Sequence, residues 1–161
     1  MPSDKVVVNA SPLITLYKSQ LADLIPQLFT HVQVPAAVWQ EVTASKDDIA
    51  AQSLPHTSWA IQTPAIAINP QVSAWDLGAG ESDVLSYALA HPDYTTMIDD
   101  AAARRCAISL GISTLGTGGL LVLAKRRGII PSVIKPIQAL RNAGLWLSEG
   151  LVDLLKQQAG E

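Results

Sequence analysis

The chain has 161 residues, 48% hydrophobic and 16% charged, with a mean hydropathy of +0.24, which excludes intrinsic disorder as its overall state and suits one domain over 1–161. A net charge of −3 argues against a nucleic-acid binder held by a broad basic surface, until the charges are located. Residues 1–100 hold 11 acids and 3 bases, a net −8, whereas residues 101–161 hold 3 acids and 8 bases, a net +5.

The amino terminus, Met1 to Lys5, leads into only three valines, too short for the apolar part of a signal peptide. Val6–Val8 is β-branched and unbroken, the pattern of a buried strand, and it stops at Asn9-Ala10. Ser11 and Pro12 predict a helix start, with serine as the N-cap and proline first in the helix. Leu13, Leu16 and Tyr17 give it an apolar face, and Leu21, Leu24, Ile25 and Leu28 continue the helical spacing to Phe29. His31–Val34 reads as a second strand, and Pro35 opens a helix through Val38, Trp39 and Val42. Between Thr43 and Leu77 the pattern weakens around Pro55, Pro64 and Pro70, leaving one strand at Trp59–Gln62. Gly78-Ala79-Gly80-Glu81 leads into a helix with Val84, Leu85, Ala88 and Leu89 on one face, closed by His91-Pro92. Tyr94–Ile98 is a strand ending in Asp99-Asp100. An alanine-rich helix then runs to Leu110 and is ended by Gly111. It carries the lone cysteine, Cys106, so there is no internal disulfide and no cysteine cluster for zinc or iron–sulfur, which fits a reducing cytoplasm. Ile112–Leu115 is a short strand. Gly116-Thr117-Gly118-Gly119 starts a helix ending at Lys125-Arg126-Arg127, followed by helices over 131–142 and 151–156. No run approaches the roughly 18 apolar residues of a membrane span. Short apolar strands alternating with amphipathic helices predict an α/β fold with a mainly parallel sheet.

In such a sheet the ligand site lies beyond the carboxyl ends of the strands, here Asn9-Ala10-Ser11 and Asp99-Asp100. Adjacent carboxylates at such a place suit Mg²⁺ or Mn²⁺, although Asp100 serves equally well as a helix cap and Asn9 as a turn residue. Glu81 sits in the first turn of a helix, where the dipole favours a carboxylate whatever its role. Glu41 ends a helix, where a carboxylate opposes the dipole, so a compensating role is expected. Arg104-Arg105 and Lys125–Arg127 confine cations to the second part of the chain. Acids for a metal beside bases for phosphate form the layout of an enzyme that cuts a nucleic-acid backbone. Gly116–Gly119 lacks the Walker lysine and the dinucleotide spacing, and no Gly-x-Ser-x-Gly elbow occurs.

The set Asn9-Ala-Ser11-Pro12-Leu13, Pro35 to Glu41, Gly78-Ala-Gly-Glu81, Ile98-Asp99-Asp100 with Ala103-Arg104, and Gly116-Thr-Gly-Gly-Leu resembles the PIN-like nuclease domain over nearly the whole chain. It is closest to an uncharacterised prokaryotic branch of predicted nucleic-acid-binding proteins related to VapC-type toxins. The resemblance implies a three-layer α/β/α sandwich around a mainly parallel sheet, and cleavage of RNA by water activated by Mg²⁺ or Mn²⁺. Carried over, Asn9, Glu41 and Glu81 match the first three metal positions and Asp100, or Asp99, the fourth, with Glu41, Glu81 and Asp100 as the catalytic acids. Ser11, Arg104, Arg105 and Thr117 are the residues expected to meet substrate. Asn9 departs from the usual aspartate: it offers an oxygen of the same shape without the charge. Two readings follow, a metal-dependent endoribonuclease, as the toxin of a toxin–antitoxin pair or outside one, and a PIN-like module that binds RNA or protein and has lost hydrolysis. RNA, a small antitoxin and a second copy of the chain are the expected partners, and the apolar Leu145–Leu155 segment is either interface or core.

Overall fold

The three buried valines start the sheet. The computed structural model describes residues 3–161; Met1 and Pro2, the start of the segment read above as too short for a signal peptide, lie outside the described residues. Strands β1 (Lys5–Val8), β2 (His31–Pro35), β3 (Ala60–Thr63), β4 (Thr95–Met97) and β5 (Thr114–Leu115) form one wholly parallel sheet in the order β3-β2-β1-β4-β5. Its helices are α1 (Ala10–Lys18), α2 (Leu24–Leu28), α3 (Ala36–Ala44), α4 (Ile49–Ser53), α5 (Pro70–Ser73), α6 (Ala79–Ala90), α7 (Ala101–Ser109), α8 (Thr117–Arg126), α9 (Ile134–Asn142) and α10 (Glu149–Gln158). Helices flank the sheet as in an α/β/α sandwich. Val6, Val7 and Val8 are fully buried because β1 is the central strand, with β2 and β4 on either side. None of the described helices is long and apolar enough to cross a membrane.

Several local readings are corrected. Asn9, not Ser11, is the N-cap of α1, and its side chain makes no capping bond; Ser11 sits exposed in the first turn. The predicted run to Phe29 breaks after Lys18. Gln20 adopts φ 62°, and the Gln20 and Leu21 amides bond back to Tyr17 and Leu16, so the chain turns before the short α2. The stretch 43–77 is more ordered than its sequence suggests: it holds α4, a 3₁₀ turn (Leu54–His56), β3 and α5. Helix α9 begins at Ile134 rather than Pro131, because Val133 N–H donates to Glu161 Oε2 and Ile134 N–H to Ser132 Oγ.

From β1 the chain steps outward through β2 and β3, then returns to add β4 and β5 on the other side. The order therefore reverses between β1 and β4, and the crevice beyond their carboxyl ends is the natural ligand position.

Candidate functional site

Strand β1 delivers Asn9 into this crevice. Its backbone N–H still donates to Met97 O at 3.0 Å, so Asn9 is locked to β4 as the sheet ends. Its side chain is 2% exposed, and Oδ1 has no hydrogen-bond partner. What faces that oxygen is a missing side chain. A Cβ on Gly80 would lie 3.2 Å from Asn9 Oδ1, 3.4 Å from Val38 Cγ2 and 3.8 Å from Glu41 Oε2. Gly80 thus keeps open a space at the start of α6 that an amide oxygen and a carboxylate oxygen share.

Glu41 reaches this space from the last turn of α3, while Val38, one turn before it, and Val42, next to it, are buried in the core. Although Glu41 is an exposed residue, partial burial of its carboxyl group raises its pKa, and the charge of Glu81 raises it further. Glu81, in the first turn of α6, folds back so that Oε2 would lie 2.6 Å from a Cβ on Gly78. Asn9, just after β1, and Glu41 of α3 thus face one gap, and Glu81 of α6 lies near enough to Glu41 for its charge to act there.

Asp99 and Asp100 follow β4 with different partners. Asp100 caps α7, its Oδ2 accepting from Ala103 N–H at 2.9 Å. Asp99 turns to the start of α8: Oδ1 accepts from Thr117 N–H at 2.8 Å and Oδ2 from Thr117 Oγ1 at 2.5 Å. Thr117 is fully buried, so both its donors serve Asp99 rather than solvent. A Cβ on Gly116 would lie 3.2 Å from both Asp99 Oδ1 and Arg104 Nη1, which puts Arg104 at the rim beside Asp99. Arg105 and Ser11 are exposed, in the second turn of α7 and the first turn of α1. Among the described residues, no three His, Cys, Asp or Glu side chains gather closely enough to hold an ion by themselves.

The second basic cluster lies elsewhere. Helix α8 runs back from the carboxyl end of the sheet, carrying Lys125–Arg127 to the opposite end. There Lys125 pairs with Glu161 at 3.3 Å, Arg126 donates to Gln158 O, and Arg127 donates to Leu28 O. The expectation that these bases form part of a phosphate-binding half is corrected: they tie down the carboxyl-terminal segment and the entry to β2.

One functional neighbour escaped the sequence reading. Asp83, on α6 and 8% exposed, accepts from Ala37 N–H at 3.3 Å and so caps α3, whose N-cap Pro35 offers no side-chain bond. Burial raises its pKa and that hydrogen bond lowers it, burial being the larger. Its sequence signal is faint, an acid directly before the buried Val84. Its effect is to dock the helix bearing Glu41 onto the helix bearing Glu81.

A parallel sheet reversing between β1 and β4, with acids from three elements beyond its strand ends, is the frame of the PIN nuclease class. The sequence profile of DUF3368, described as a PIN domain, matches residues 5–161, and the chain belongs to this family. No curated protein matches the chain.

Proposed function

We propose that this PIN domain is a divalent-metal-dependent endoribonuclease, with Asn9, Glu41 and Glu81 holding Mg²⁺ or Mn²⁺ and the Asp99-Asp100 pair bordering them. The observation that carries the reading is the buried Asn9 Oδ1, which lacks a hydrogen-bond partner and faces the Gly80 gap together with Glu41 Oε2. An orphaned oxygen sharing a gap with one carboxylate, itself repelled by the charge of a second, is a donor set that a hard cation would satisfy. Such a cation supplies charge neutralisation at the scissile phosphate and a more acidic water. The chain's own groups do the rest. Thr117 fixes the orientation of Asp99, and Arg104 at the rim is placed to hold a backbone phosphate, with Arg105 and Ser11 at the same end of the sheet. A small antitoxin as regulator belongs to this reading as an extension of the family resemblance.

The test is cleavage of a labelled single-stranded RNA with added Mn²⁺. The expected result is metal-dependent cleavage that falls about a hundredfold or more in Glu41→Gln, Glu81→Gln. Cleavage that is absent in the wild type, or identical in the double variant, overturns the reading.

One observation favours the second reading, a binding module without hydrolysis: Asn9 brings no charge, and no third acid joins Glu41 and Glu81 among the described residues. RNA affinity indifferent to both Mn²⁺ and the double substitution would support it.

A further inference from the structure

We propose that the groove beside Asp99 and Arg104 binds an unpaired RNA base stacked on Trp146, adjoining the phosphate that Arg104 holds; this rests on the RNA-directed function proposed above. The groove has a volume of about 340 Å³ and runs from Asp99 and Arg104 across the glycine-rich start of α8 to Trp146, Leu151, Leu154 and Gln158. Its floor is made by close packing of helices: a Cβ on Gly118 would lie 2.7 Å from Leu155 Cδ1, so α10 sits directly on the α8 backbone. Trp146 stands above it, 82% exposed, and among the described residues its ring stacks on no other ring.

Scattered exposed apolar residues need no explanation, but this one adjoins the exposed Leu151 and Leu154 and opens onto the strand-end crevice. Two features favour a nucleotide over a protein surface. The groove shares Asp99 and Arg104 with the candidate site, so a strand whose phosphate lies at Arg104 carries its neighbouring base into the groove. A cation at one end and a free aromatic face further along also match how single strands are held, by phosphate contact and base stacking. Stacking requires no particular base, so this contact supplies affinity and positions the strand rather than reading its sequence.

The experiment measures anisotropy of a short labelled oligoribonucleotide, titrated with wild type, Trp146→Ala, Trp146→Leu and Trp146→Phe, with sedimentation velocity on each protein. Because Trp146 is exposed, all three variants are expected to fold. The expected result is roughly five- to hundredfold weaker binding for the Ala and Leu variants, substantial rescue by Phe, and unchanged sedimentation. Equal binding by wild type and Leu variant overturns the stacking site while leaving the RNA-directed function standing. The same holds if the Leu variant keeps RNA affinity but alters self-association, which would assign the patch to a second copy. Wild type that fails to bind RNA at all overturns both readings.

Discussion

An amide oxygen that is buried without a partner costs about 1–3 kcal/mol in an ordinary core, and Asn9 Oδ1 is such an atom. Asparagine is tolerated there more easily than aspartate would be, because an unpaired buried carboxylate beside Glu41 would add a charge to that cost. Under the proposed function, asparagine would hold a cation more weakly than aspartate and leave the metal-free protein more stable. Glu41 makes the same point through titration. Burial, then the Glu81 charge, hold its pKa above the ordinary carboxylate value of 4.5, so the folded protein keeps that proton more tightly than the unfolded chain does. Ionisation of Glu41 therefore opposes folding as the pH rises through its raised pKa, and the opposition disappears below the unfolded value. Glu41→Gln is expected to raise the Tm of metal-free protein at pH 7, with the difference from wild type gone by about pH 4. Thermal melts in EDTA at the two pH values measure this, and a lower Tm for the variant at pH 7 contradicts it. The candidate acids were legible in the sequence because each sits at a strand end or helix terminus. The unpaired state of Asn9 was not, since it depends on a glycine 71 positions away in the chain.

At the scale of elements, helices meet through small residues and side-chain caps. Helix α3 docks on α6 through the Asp83 cap and the Gly80 gap, and α8 docks on α10 through Gly118. Alanine is ordinarily the better helix former by about 1 kcal/mol, so glycine in a helix signals a close approach or costs stability. Two glycines separate these cases. Gly118→Ala is expected to destabilise by about 1–3 kcal/mol, because its Cβ meets Leu155 at 2.7 Å in a buried contact. Gly150→Ala, in the first turn of α10 with nothing within 4 Å, is expected to be neutral or stabilising by up to about 1 kcal/mol. Urea unfolding of both variants checks the pair, and equal effects would contradict the packing described. Alternation of strands and helices was readable because each strand is a short apolar run and most helices carry a start or stop residue. The stretch 43–77 was not, because α4, α5 and β3 are only 4–5 residues long and draw their order from neighbours rather than from periodicity. Asp83 hid for a related reason: its partner is a backbone amide 46 residues away.

Over the whole molecule, the divided charge takes a different meaning from the one its position along the chain suggests. Of the basic residues after Asp100, Lys125, Arg126 and Arg127 hold structure at the amino-terminal end of the sheet, and Arg141 bonds Leu147 O and Glu149. Arg104 and Arg105 lie on α7 at the carboxyl end of the sheet, Arg104 beside Asp99. Under the proposed function, the acidic excess at the site would be offset by these arginines and by a cation held by the acids, so RNA affinity is expected to rest on that cation more than on net charge. Sequence order could not show this, because a parallel α/β fold sends the two ends of every helix to opposite ends of the sheet. The central claim is that Asn9, Glu41 and Glu81 share one cation. Anomalous scattering from a crystal soaked in Mn²⁺ tests it most directly: the account predicts a single strong peak within coordination distance of Asn9 Oδ1 and the Glu41 and Glu81 carboxylates, and a soaked crystal with no peak there, or with its peak at Asp100 away from Asn9, contradicts it.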